Sequence, residues 1–397
     1  MKGNRLFSRV NLLLLTMLIV ACQGGNISTS KNGNSNSSKD NVNTSSAIDT
    51  SKNQLLISEY VEGSANFAVE LYNFTDKDAD LSDYTFNVYG KSETVPTGTI
   101  ELSGTLKAKE TYVIVSYLTV SEELKSKADL ISEKLVFNGG QALSLAYKGV
   151  NVDVLGNIGY TVSYAKDITL VRKDNHITPS PVFDEYDWVR YLCDDFSYLG
   201  NFGASVTEEE LLAGPKLTDE FLNAPFFKEG SNNQIGAGGL AKVRVYSYVD
   251  GDTTCFFYPD ELGLKDGLKV RYQNINTPES YTGGIQEWGI PAKEYTKYQL
   301  SKANEIYVQS IKNGSIYETY DRLLGWVWID GELLNFKIVK EGYSLLRFEP
   351  ITTMFYKGVT YSNYLYHAEL YAKRNGLKLH GEKDHTWDYE KWESLYD

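Results

Sequence analysis

Two acidic turns and two arginines carry the chemistry in this sequence. Asp250 and Asp252 lie in VDGDT (249–253), where one strand-like run breaks. Asn276-Thr277-Pro278-Glu279 ends another run, LKVRYQNI (268–275). If the two breaks meet on one sheet, Asp252 offers a carboxylate, Asn276 a side-chain oxygen and Thr277 a backbone carbonyl. That is a hard-oxygen set suited to Ca²⁺ or another divalent cation. Glu279, two residues past the carbonyl, is placed to hold a water, and Arg271, five residues before Asn276, to reach the same pocket. Arg322 stands just before the strand-like LLGWVW (323–328). Phosphodiester hydrolysis uses these groups. Guanidiniums match the charge growing on the phosphate oxygens, and a carboxylate orients or deprotonates the attacking water. The plainer account of Asp250 and Asp252 is a pair of turn acids capping a hairpin.

The elements that must hold these residues follow from periodicity. Val243, Val245 and Val249 share a face of an alternating run from Lys242 to Val249, and 253–258, 268–275, 305–311 and 323–330 read as further strands. A helix begins near Pro291, which suits a first turn, and runs to about Asn304. LLNFKIVKEGY (333–343) reads as a helix stopped by Gly342. Tyr361, Tyr364, Leu365, Ala368 and Ala372 form the inward stripe of a last helix. Five strands with three helices suit a Greek-key OB-fold barrel.

VDGDT, R-x(5)-TPE, W-G-x-x-A (288–292), YDR before an aromatic strand (320–328) and N-F-x-I-V-x-E-G-Y (335–343) occur in the order found in the thermonuclease (staphylococcal-nuclease-like) family, which residues 240–380 resemble. The resemblance implies a nuclease that cleaves DNA and RNA to 3′-phosphate products with Ca²⁺. By residue, it implies Asp252 as a direct metal ligand with Asp250 behind it, Thr277 as the carbonyl ligand and Glu279 as the base. Arg271 and Arg322 become the phosphate-binding arginines, Tyr320 a contact to a substrate phosphate, and Phe348 a base-stacking aromatic. The family's usual Asp is Asn276 here, which keeps an oxygen at the same reach and removes one charge, so metal binding weakens. The alternative is a catalytically weakened lipoprotein that binds nucleic acid or acts in adhesion.

Upstream, short alternating runs from Leu55 to about Gly200 argue a β-sandwich. LISEYVEGSANFAVELYN, LSDYTF, DVLG, ITLVRK and VFDEYDWVRY resemble a lamin-tail domain over 54–198, implying an immunoglobulin-like sandwich whose ligand is unknown. Trp188 reads as a core residue. Glu59, Glu62, Glu70 and Asn73 read as solvated strand-edge residues, with a cation site as the sharper option. Residues 199–239 form a connector with short helices, and 381–397 a tail without an assigned role.

At the N-terminus, Lys2, Arg5 and Arg9 precede LLLLTMLIVA (12–21) and Cys22, and Ile19 to Cys22 resemble a bacterial lipobox. That implies a signal peptide over 1–22, a lipid on Cys22 and an extracytoplasmic protein anchored to the bacterial membrane. Residues 23–53, rich in Ser, Asn, Gly and Thr, read as a disordered tether. The chain carries net charge −13. Residues 51–240 hold 15 Lys+Arg against 28 Asp+Glu, so that part cannot grip phosphate by bulk charge, whereas 241–397 is near balance at 19 against 22. Cys193 and Cys255 lack zinc or disulfide spacing, and the four histidines lack catalytic spacing.

Overall fold

The computed structural model describes residues 48–281, 284–318, 322–347 and 350–389. Cys22, Tyr320 and Phe348 lie outside them. The tether reading ran to Asn53, yet structure begins earlier. Thr50–Lys52 form a 3₁₀ turn capped by Asp49, and buried Asn53 exchanges hydrogen bonds with the Leu55 backbone.

Ten strands build the sandwich: β1 (Leu55–Glu62), β2 (Phe67–Asn73), β3 (Tyr84–Val88), β4 (Gly98–Glu101), β5 (Thr111–Ser116), β6 (Leu130–Ser132), β7 (Leu143–Tyr147), β8 (Val150–Leu155), β9 (Ile168–Arg172) and β10 (Trp188–Leu192). A six-stranded sheet in the order β10-β9-β1-β2-β5-β6 faces a four-stranded sheet in the order β8-β7-β3-β4. Val69, Leu71, Phe86, Leu145, Leu170 and Trp188 fill the space between them. A buried Arg172–Asp153 pair at 2.6 Å joins the two layers, with the guanidinium over the Trp188 ring.

The six-stranded sheet is covered on its outer face as well. Helix α1 (Glu122–Ser126) and the Phe196–Leu199 segment close over Val61, Ala68, Val113 and Val115. That covering overturns the solvated reading of the strand-edge acids. Glu59, Glu62, Glu70 and Asn73 are all buried. Glu59 and Glu70 face each other across β1 and β2. Glu70 accepts hydrogen bonds from Ser58 Oγ at 2.7 Å and from the Gly200 N–H at 2.6 Å. Asn73 spends its amide on carbonyls of the 77–107 loops, and Glu62 accepts from the Asp167 N–H, so the four do not gather around a cation.

The connector carries α2 (Glu208–Ala213) and α3 (Asp219–Asn223) and is no loose spacer. Val206, Leu211, Phe221 and Phe226 join the core of the second domain, together with Val171, Val189 and Tyr191 from β9 and β10. The two domains therefore pack as one body. Asn363 Nδ2 donates to the Arg190 carbonyl at 2.9 Å, and the Arg190 N–H donates to His367 Nε2 at 3.3 Å. Burial drives the His367 pKa down to about 3, so the imidazole is a neutral acceptor at the seam.

The second domain is the expected barrel. Residues 240–250 form one bent strand, broken at Val243 into β11 (Leu240–Lys242) and β12 (Arg244–Asp250). Then come β13 (Thr253–Phe257), β14 (Leu268–Tyr272), the short β15 (Ile275–Asn276), α4 (Gly289–Lys302), β16 (Ile306–Gln309) and β17 (Leu323–Ile329). The sheet order is β11-β16-β17-β14-β13-β12. Because β11 and β12 belong to one strand, pairing to β16 at one end and β13 at the other, the sheet closes on itself. β14 and β17 run parallel, and the other pairs are antiparallel. Helices α5 (Leu334–Lys340) and α6 (Tyr361–Arg374) pack beside the barrel.

Burial holds the Glu70 carboxyl up at about 7. A raised acid favours folding below its unfolded value and loses that contribution as pH climbs through the folded one. Between pH 5 and 8 the chain is expected to lose roughly 3 kcal/mol through Glu70. Glu70→Gln should flatten denaturant-measured stability over that range; an unchanged pH slope would refute the assignment.

Candidate active site

The two acidic turns meet. β13 lies between β12 and β14, so the β12–β13 turn stands beside the end of β14, with Thr253 opposite Arg271. Asp252 is buried to 1% exposure and Arg271 to 8%. Asp252 Oδ1 accepts from Arg271 Nη1 and, at 3.0 Å, from Thr253 Oγ1, while Oδ2 accepts from the Thr277 N–H at 2.8 Å. Arg271 Nη2 donates to Asn276 Oδ1 at 2.6 Å. One guanidinium thus bridges the two side-chain oxygens that the sequence assigns to a metal.

Close backbone approach makes this possible. A Cβ at Gly251 would stand 2.7 Å from Thr277 Oγ1, so only glycine lets the two turns touch. A Cβ at Gly289 would stand 2.1 Å from the Glu279 carbonyl, which gives the W-G-x-x-A motif its physical sense. The glycine lets the start of α4 press on the loop, and buried Ala292 continues the contact into the core.

Glu279 is half-buried and hydrogen-bonded to the Asp250 carboxyl. Its pKa is pushed up by burial first, then by Asp250 and Asp252, with Arg271 opposing. Asp252 is also pushed up by burial, with Arg271 pulling it back. Three carboxyl groups therefore share a site with one guanidinium. Arg322 stands two residues before Leu324, which pairs with Arg271 in the parallel register, so it falls on the same face about 7 Å along. Its Nε donates to Glu318.

Three supporting residues escaped the sequence reading. Glu318 holds Arg322. Thr296 Oγ1 donates to the Gly251 carbonyl at 2.6 Å, fixing the acidic turn from α4. Ser344 Oγ accepts from the Asn276 N–H at 2.8 Å, fixing the other turn. Only Thr296 left a trace, four residues after Ala292 on the inward face of its helix.

The donors suit a hard cation. They are oxygens throughout, the carboxyl groups outnumber the guanidinium, and Thr277 Oγ1 is buried with no hydrogen-bond partner among the described residues. Among those residues no three His, Cys, Asp or Glu side chains form a ready-made metal cage. An ion here would draw its remaining ligands from water or phosphate.

Comparison with known proteins agrees with this geometry. The profile described as Lamin Tail Domain matches residues 49–159, and the one described as Staphylococcal nuclease homologue matches 269–380. The second match opens inside β14, after the VDGDT turn, which the Asp252 hydrogen bonds tie to it. Thermonuclease from Staphylococcus intermedius is 31% identical over 126 residues, 31% of this chain and 68% of that protein. Endonuclease YncB from Bacillus subtilis (strain 168) is 30% identical over 129 residues, 32% of this chain and 58% of that protein. Thermonuclease from Staphylococcus hyicus is 27% identical over 128 residues, 32% of this chain and 69% of that protein. With the barrel, the converging turns and these matches together, the chain belongs to the staphylococcal nuclease family.

Proposed function

We propose that the chain is a Ca²⁺-dependent nuclease that hydrolyses phosphodiester bonds of DNA and RNA to 3′-phosphate products, held outside a bacterial membrane by a lipid on Cys22. The observation that carries the catalytic part is the convergence of Asp252, Arg271, Asn276, Thr277 and Glu279 from turns separated in the chain. The anchor rests on the N-terminal sequence alone.

Asp252, Asn276 and the Thr277 carbonyl would hold the ion, whose chemistry is to neutralise charge on the phosphate. Arg271 gives up its bonds to Asp252 and Asn276 to take a phosphate oxygen, exchanging one charge-assisted contact for another. Arg322 makes the second such contact after leaving Glu318. Glu279, its pKa raised by burial and by Asp250, orients the water in its ionised form and accepts its proton, while the phosphate–5′-oxygen bond breaks and the leaving oxygen takes a proton from solvent. Asn276 favours a second reading, a binding protein with weakened catalysis, because the site has one charge fewer to hold its ion.

Arg322→Ala removes a side chain that is 28% exposed, against 9% for Arg271, and is the cleaner test of the arginines. It should lower DNA turnover on the order of 100-fold or more with little loss of stability. Normal turnover would remove Arg322 from the mechanism. Arg271→Ala should lower turnover similarly but also destabilise the fold by roughly 3–5 kcal/mol, because it leaves Asp252 buried and unpaired. A thermal melt beside the rate separates the two losses. Asn276→Asp should lower the Ca²⁺ concentration for half-maximal cleavage. An unchanged requirement would show that side chain 276 is no ligand, and a parent chain inert at every Ca²⁺ concentration would favour the binding reading.

A further inference from the structure

Between the two domains lies a cavity of about 420 Å³. Ligand pockets run roughly 300–1,000 Å³, so it admits a group of nucleotide size. The sandwich supplies Lys166 and Arg190 to its wall. The barrel supplies Asn274, Arg347, Asn363 and Tyr366. Among the described lining residues, three cationic side chains stand against one carboxylate, Asp167, which lies 3.5 Å from Lys166 Nζ at the exposed rim.

Arg190 shows what is missing. Its guanidinium lies 4.3 Å from the centroid of the Tyr366 ring. Its Nη1 and Nη2 both reach the Tyr164 carbonyl, each at 3.4 Å. A guanidinium has five donors, and these two bonds are long. Among the described residues no salt bridge engages it; burial lowers its pKa, with the more distant Glu185 carboxylate opposing. A half-buried guanidinium with donors to spare is a favourable place for an anion to bind.

The cavity also adjoins the candidate active site. Asn274 in its wall sits in the turn two residues before Asn276, whose Oδ1 holds Arg271. The Arg347 N–H donates to the Asn274 carbonyl at 3.1 Å, so both wall residues ride on the ribbon that ends at the site.

We propose that this interdomain cavity receives a phosphate of the single nucleic-acid strand whose scissile phosphate lies at Arg271, with Lys166 and Arg190 of the lamin-tail-like domain forming part of the substrate grip. The identity of the strand rests on the nuclease reading above. The cavity is too small for a duplex, and cationic grooves track single strands by their phosphates.

The test uses the full chain with chelator present, so that binding is read without cleavage. Fluorescence anisotropy would follow a single-stranded oligonucleotide of about twelve nucleotides, and a dinucleotide, over a salt series. In the Lys166→Gln/Arg190→Gln double variant, the longer strand should bind about tenfold more weakly, and its log–log salt slope should shrink by roughly 0.7 per lost contact. Dinucleotide binding should be unchanged, and Arg190→Lys should retain most of the affinity. Parent-like affinity and slope for the longer strand in the double variant would overturn the proposal, as would a parent chain that binds no strand. If the Arg190 variants do not fold, Lys166→Gln alone, at an exposed position, must still reduce the slope, and an unchanged slope overturns the proposal. Cleavage with Ca²⁺ is scored separately. Binding that depends on Lys166 and Arg190 without cleavage would sink the nuclease reading alone, whereas cleavage with binding indifferent to them would sink this inference alone.

Discussion

The site depends on one buried ion pair. Arg271 is surrounded by its own strand, the β12–β13 turn and the turn after β15, and the charge it brings inside is met by Asp252 and by Asn276 Oδ1. Taking two charges out of water is expensive, and attraction repays it only where further hydrogen bonds complete both groups. Here Asp252 receives two additional donors, Thr253 Oγ1 and the Thr277 N–H. The pair therefore locks two loops to each other. It also leaves Arg271 desolvated and held in one orientation.

The rest of the barrel serves that pair. Gly251 and Gly289 remove the Cβ atoms that would hold the turns apart. Thr296 and Ser344, both buried, pin the two turns from opposite sides. Antiparallel pairing of β13 with β14 brings the β12–β13 turn beside the end of β14, and the bent strand 240–250 closes the sheet around them.

The lamin-tail-like domain is not a bead on a string. Its outer sheet face is shared between α1 with the following segment and the barrel, and the connector's apolar residues sit in the barrel core. The seam combines apolar packing, a neutral histidine that accepts from the Arg190 N–H, and an exposed Arg374–Asp184 pair at 3.0 Å. Moving one domain would expose Val171, Val189 and Tyr191, so the cavity between the domains is a lasting part of the protein's surface.

The sequence by itself determined the strands and helices of both domains, because alternation and helical spacing are properties of residues a few positions apart. It also determined the two acidic turns and their arginines, because turn chemistry is local. It misjudged Glu59 and Glu70, whose outward positions in the alternation marked them as solvated. What covers them is the chain near Gly200, about 130 residues away. It was silent on the Asp252–Arg271 bridge, on Thr296 and Ser344, and on Arg190 beside Tyr366, since each joins segments far apart in the chain. Which donor meets which acceptor in the interior is set by where the backbone closes on itself, and only the tertiary structure decided that.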